Sequence, residues 1–149
     1  MKIKMTEEKA LKSFGGGIDC SQVVFGATAE QLGLDEKTAR KISAAFGGGM
    51  WRGETCGCVT GALMAIGLKY GQSEIGESKT KEKMLAKKAE FERIFAEKNG
   101  DLICRKILKY DLSKPEEMKK IQEEKLLETL CPKLACSACR ILEKILEEK

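Results

Sequence analysis

The chain has 149 residues, 34% of them charged and 42% hydrophobic, with two prolines. That balance is one of a folded domain able to bury its own core rather than of a disordered chain. The formal charge of +4 comes from 27 basic and 23 acidic residues in mixed order, so no single-sign tract marks a nucleic-acid or lipid surface.

Histidine is absent and cysteine occurs seven times. Without imidazole there is no Cys/His catalysis, no His-ligated haem and no zinc site that needs histidine. Charges run throughout "MKIKMTEEKALKSF", so nothing resembles a secretory leader, and a cytoplasmic protein is expected. In that reducing compartment a cysteine excess points to metal binding or redox chemistry, and the odd count argues against a closed disulfide framework.

Taken in order, the elements read as helices. The first covers residues 6 to 14 and stops at a Phe-Gly-Gly-Gly run. The second opens at Asp19, with Gln22 completing a capping box, and closes at Gly33. Asp35 caps a third helix that runs to about Phe46, where Phe-Gly-Gly-Gly recurs. "CGCVTGALMAIGLKYG" is apolar nearly all round, which makes it the most buried helix; it is too short for the roughly 20 residues of a membrane span.

Residues 77 to 98 are dense in Lys and Glu, with Met84, Phe91 and Phe95 on one face and the charges on a solvated one. Asn99 and Gly100 end that helix, and Asp101 is read as the cap of the next, "LICRKIL". Ser113, Pro115 and Glu116 make another start, and the last helix begins after Cys131, with Pro132 in its first turn, and runs to the end. No segment alternates as a strand would. The expected architecture is all-α, a single-domain bundle of about five to seven helices over residues 1 to 149.

On those helices Cys20, Cys56, Cys104 and Cys131 all fall at or in a first turn. Unpaired N–H groups and the positive end of the helix dipole favour a negatively charged sulfur there, so four helix starts could build one tetrathiolate site. Cys58, Cys136 and Cys139 differ. With about 100 degrees per residue, Cys58 points about 160 degrees from Cys56 if the helix starts at 56, and is read as a small buried hydrophobe.

"CPKLACSAC" has ferredoxin-like C-x4-C-x2-C spacing, but that spacing works in a loop and this segment reads as helix. Cys136 and Cys139 also match C-x-x-C without the βαβ context of a thioredoxin, which leaves all three residues as a secondary redox or metal set. The glycine runs match neither the P-loop nor the dinucleotide fingerprint. Gly47, Gly48, Gly49 and Gly57 are read instead as helix stops and as points where backbone passes close to what the cysteine holds.

Phe14 to Cys20 with Ser21-Gln22-Val23-Val24, then Phe46 to Gly49 leading to Cys56-Gly57 and Gly61-Ala62, then single cysteines at 104 and 131, resemble a family of redox-active proteins. That family is named for a C-G-A-x-x-G motif (C_GCAxxG_C_C) and is similar to the iron–sulfur domain of split-Soret cytochromes. The chain departs from the motif at Cys58, where the motif has alanine, and adds Cys136 and Cys139. The resemblance implies an iron–sulfur cluster on Cys20, Cys56, Cys104 and Cys131, and [2Fe–2S] is expected rather than [4Fe–4S]. It implies no haem, since C-x-x-C-H is missing.

No general base or substrate pocket can be named, so an electron carrier or redox sensor is expected rather than an enzyme with its own substrate. Structural zinc on the same four thiolates, or a metal-free dithiol using Cys20 or Cys56, are the alternatives. The partner is expected to be a redox protein, with no nucleic acid and no membrane; a homodimer is an open oligomeric state. Arg52 and Arg105, next to two of the cysteines, are read as ordinary surface residues.

Overall fold

The computed structural model describes residues 1 to 147. They form helices α1 (Glu7–Gly15), α2 (Cys20–Ala29), α3 (Glu36–Ser43), α4 (Gly57–Tyr70), α5 (Ser78–Asn99), α6 (Cys104–Leu108), α7 (Pro115–Glu123), α8 (Leu126–Thr129) and α9 (Cys131–Glu147). The all-α expectation holds. The nine helices of the described residues exceed the expected five to seven, and the four-residue α8 is the one with no counterpart in the sequence reading.

Local signals place most boundaries. Thr6 caps α1 by accepting the Lys9 N–H, and Asp35 caps α3 by accepting the Thr38 N–H at 2.9 Å. At α2 the Gln22 side chain accepts the Asp19 N–H at 2.9 Å, the reciprocal half of the capping box. Gly33, at φ 89, closes the 3₁₀ turn that prolongs α2.

Helix α4 is the centre of the bundle, packed against α2, α5 and α9. Val59, Ala62, Ala65 and Ile66 are fully buried on it, as its sequence predicts. The Tyr70 hydroxyl donates to the Ile145 carbonyl at 2.7 Å, joining the end of α4 to α9. On α5, Phe91 and Phe95 are fully buried with ring centroids 5.8 Å apart, each burial contributing about 1.5–3 kcal/mol. The charges of α5 face solvent with one exception: Lys87 is buried, its ammonium 5.5 Å from the Tyr70 ring centroid.

A smaller apolar cluster, built on Cys104, Leu108 and Ile121, gathers α6, α7 and α8 beside the start of α9. Cys20, Cys56 and Cys58 belong to the large core, whereas Cys104 and Cys131 belong to the small one. The seam between the two clusters is therefore where cysteines from distant parts of the chain meet.

Two expected caps are corrected. Asp101 does not cap α6, whose preceding residue is Ile103; its carboxylate accepts the N–H groups of Leu102 and Ile103 at 2.7 and 2.9 Å. Residues 102 and 103 are drawn instead into an isolated antiparallel bridge, Thr55 opposite Ile103, so the helix cannot begin until Cys104. Ser113 does not cap α7 either. Its hydroxyl donates to Asp111, and Pro115 starts the helix through its fixed φ.

Candidate metal centre

Five of the seven cysteines line one cavity of about 220 Å³: Cys20, Cys56, Cys58, Cys104 and Cys131. The four residues chosen as candidate ligands from the sequence are all there. Cys20, Cys104 and Cys131 are the first residues of α2, α6 and α9, and Cys56 is the residue that precedes α4.

The bridge at Thr55 and Ile103 fixes one side of the site. The Cys56 N–H donates to the Leu102 carbonyl at 2.8 Å, and the Cys104 N–H donates to the Glu54 carbonyl at 2.6 Å. In an antiparallel pair, Cys56 and Cys104 are then diagonal neighbours on the face opposite Thr55 and Ile103, a spacing of about 7–8 Å between their backbones. Arg105 reinforces the clamp by bonding the Gly53 carbonyl at 3.1 Å and the Glu54 carboxylate at 3.0 Å. Its charge is thus engaged with the loop before Cys56.

Close approach of α2 and α4 fixes the other side. A Cβ at position 57 would stand 2.2 Å from Cys20 Sγ, and one at position 61 would stand 2.6 Å from the Ser21 carbonyl oxygen. Gly57 and Gly61, one turn apart, give α4 a bare face on which α2 rests. Only glycine leaves room for the Cys20 sulfur there.

The second Phe-Gly-Gly-Gly run does more than stop a helix. Gly48, Gly49, Met50 and Trp51 all have left-handed backbone, with φ of 57, 64, 56 and 57. Left-handed conformation costs a non-glycine residue about 1–2 kcal/mol, so Met50 and Trp51 hold local strain beside the site. The turn aims the Gly48 N–H at the Cys20 sulfur, which also accepts the Ser21 N–H. By contrast, an added Cβ at Gly15 or Gly17 would meet nothing within 4 Å, so the first run is a helix stop without the close approach expected for it.

The electrostatics depart from the helix-start expectation. The Cys20 thiol is lowered to about 7, first by a hydrogen bond from Cys58 and then by the Gly48 and Ser21 N–H groups, against burial and the Asp19 carboxylate. Cys104 is pushed up to about 12 by burial first and then by Cys56 and Cys20, and Cys131 is raised by burial and the same neighbours. In an apolar cavity, desolvation and mutual repulsion outweigh a helix start, so these thiols keep their protons until a cation compensates the charge.

Cys58 corrects a sequence expectation. It is fully buried, but it lines the cavity and its thiol hydrogen-bonds to both Cys20 and Cys56. The 160-degree separation fails because Cys56, at φ −50 and ψ 135, lies outside the helix, where 100 degrees per residue does not apply.

Cys136 and Cys139 are separate from the cavity. Cys139 packs into the main core, and Cys136 lines a shallow depression with Glu7, Lys98, Asn99 and Arg140. The ferredoxin-like spacing is broken as its helical reading implies: residues 131 to 139 are continuous helix, and of its three cysteines only Cys131 reaches the cavity.

Sequence reasoning missed the bridge that pairs Cys56 with Cys104, since a single bridge leaves no alternating run. It also passed over the spacing of Gly57 and Gly61, a signal that was visible. Among the described residues no group of three or more cysteine or carboxylate side chains is arranged to hold a single metal ion. Thiols from four elements, backbone N–H groups aimed at sulfur and a notch that a Cβ would fill would nonetheless suit a metal cluster held by thiolates. A cluster, which is larger than one ion, fits this arrangement.

No helix among the described residues is long and apolar enough to cross a membrane. No curated protein and no solved structure matches this chain. A family model described as "Putative redox-active protein (C_GCAxxG_C_C)" matches residues 18–145, a span that holds all five cavity thiols, and the chain belongs to this redox-active family.

Proposed function

We propose that this protein carries an iron–sulfur cluster, [2Fe–2S], in the cavity between its two apolar clusters and uses it for electron transfer or redox sensing in the cytoplasm. The observation that carries the reading is the convergence of Cys20, Cys56, Cys104 and Cys131, separated by up to 111 residues in the chain, on one apolar cavity. When bound, the cluster supplies a one-electron couple whose potential depends on hydrogen bonds to sulfur and on exposure.

The chain's own groups set those conditions. Gly48 and Ser21 donate N–H groups to the Cys20 sulfur, which stabilises negative charge there. Leu108, Leu112, Leu127 and Leu134 wall the cavity and limit water. Trp51, 47% exposed, stands at its edge and offers contact surface to a redox partner protein. With seven free cysteines, the fold suits a reducing compartment.

The test is anaerobic purification followed by a visible spectrum, iron and acid-labile sulfide analysis, and electron paramagnetic resonance after reduction. Two irons and two sulfides per chain with a paramagnetic reduced state are expected. A colourless, metal-free protein whose four cavity thiols titrate freely overturns the reading.

A further inference from the structure

The cavity contains one thiol more than a four-cysteine site needs. Cys58 lines it beside the four candidate ligands, and its thiol hydrogen-bonds directly to Cys20. The would-be Cβ of Gly57 lies 2.2 Å from Cys20 Sγ and 3.0 Å from the Ser21 nitrogen, so the first turns of α2 and α4 meet at backbone contact. Disulfides join cysteines whose Cα atoms are about 4.4–6.8 Å apart, a separation that backbone contact between the two carrying elements brings within reach.

We propose that Cys20 and Cys58 form a dithiol site that small disulfides oxidise to an intramolecular Cys20–Cys58 disulfide. Exposure orders the two steps. Cys20 is half-buried at the cavity wall, whereas Cys58 is fully buried and inaccessible to an external reagent. The Cys20 sulfur attacks a disulfide R–S–S–R, forming Cys20–S–S–R and releasing one R–SH. Cys58 then attacks the Cys20 sulfur, the Cys20–Cys58 bond forms, and the second R–SH leaves. Two thiols lose two electrons and two protons, and one external disulfide becomes two thiols.

Cys56 is the poorer partner for either residue. Its N–H is pinned to Leu102 in the bridge, and a bond to Cys58 would have to close a small ring across Gly57. The Cys20 sulfur has a side-chain hydrogen bond with Cys58. One consequence rests on the function proposed above: Cys20 cannot ligate a cluster while bonded to Cys58, so cluster and disulfide exclude each other.

The test uses full-length protein, stripped of metal and reduced under anaerobic conditions, then freed of reductant and treated with bis(2-hydroxyethyl) disulfide. Remaining thiols are blocked with N-ethylmaleimide and the peptides mapped by mass, for the wild type, Cys58→Ala and Cys56→Ala. The expected result is a Cys20–Cys58 cross-link in the wild type and in Cys56→Ala, with two of the seven thiols lost in the wild type. In Cys58→Ala, Cys20 should stay as a mixed disulfide with the hydroxyethyl thiol.

A wild-type Cys20–Cys56 link, a persistent mixed disulfide at Cys20, or seven unreacted thiols overturns the proposal. The wild-type map decides alone if a variant loses its far-UV circular dichroism. Reconstituting a separate reduced sample with ferrous iron and sulfide keeps the two readings apart. A cross-link without colour removes the cluster and leaves the thiol pair; colour without a cross-link does the reverse.

Discussion

The cavity wall and the middle of α9 both carry several cysteines, yet only the cavity assembles them. Its thiols sit at the edges of elements, where the backbone leaves the helix and the side chain can be turned toward a common point. Cys136 and Cys139 sit within a regular helix, and their directions are set by its periodicity: one faces the core, the other a shallow depression. Cysteine count does not make a site. The two Phe-Gly-Gly-Gly runs teach the same lesson, since a Cβ in the first would meet at most carbonyls of α1 at 3.5 Å, whereas the second is pressed against the backbone of Glu54.

The sharpest test of this contrast exchanges one sulfur in each region. Cys104→Ser should abolish iron and sulfide incorporation, while Cys136→Ser should leave both unchanged. Equal loss from the two variants would erase the distinction. Metal analysis after anaerobic reconstitution reads it.

The next largest effect belongs to the glycines. At position 49 an added Cβ would lie 2.3 Å from the Glu54 nitrogen, on a backbone with φ 64. Gly49→Ala should therefore cost about 2–5 kcal/mol, combining overpacking with left-handed strain. Gly15→Ala, at the end of α1 with nothing within 4 Å, should leave urea unfolding unchanged or slightly more stable.

A third prediction separates the two regions by pH. The Cys139 thiol is raised from 9.0 to about 12, first by burial and then by Cys136 and Glu143. The folded chain keeps this proton where the unfolded chain has lost it. The contribution is fully present below pH 9 and disappears as pH rises toward 12, at up to about 1.4 kcal/mol per pH unit. Cys139→Ala should flatten the alkaline fall in chemical-denaturation stability, and identical slopes in the two proteins would refute the assignment.

The smallest effect is expected at the clamp. Arg105→Gln removes a half-exposed ion pair to Glu54, so thermal stability should fall by no more than about 1 kcal/mol. A loss of cluster content larger than this loss of stability would show that the clamp positions Cys56 and Cys104 rather than merely decorating the surface.

Much of the fold was legible because its signals are local. Asp35 and Gln22 bond groups three residues away, and the apolar run of α4 needs no partner to identify it as core. The gathering of Cys20, Cys56, Cys104 and Cys131 was also legible, through their place at helix starts. Asp101 misled because its bonds to Leu102 and Ile103 resemble a cap, whereas the bridge to Thr55 is a contact across almost fifty residues.

By itself, then, the amino-acid order determined an all-α chain, its main helix boundaries and four cysteines fit to share a site, since capping and periodicity act over one or two turns. Tertiary structure alone decided which way Cys58 points, which glycine run approaches the Cys20 sulfur and how Cys56 meets Cys104. Those outcomes depend on α2 resting on Gly57 and Gly61 and on a single bridge between distant segments, contacts that form only when parts of the chain far apart in sequence meet.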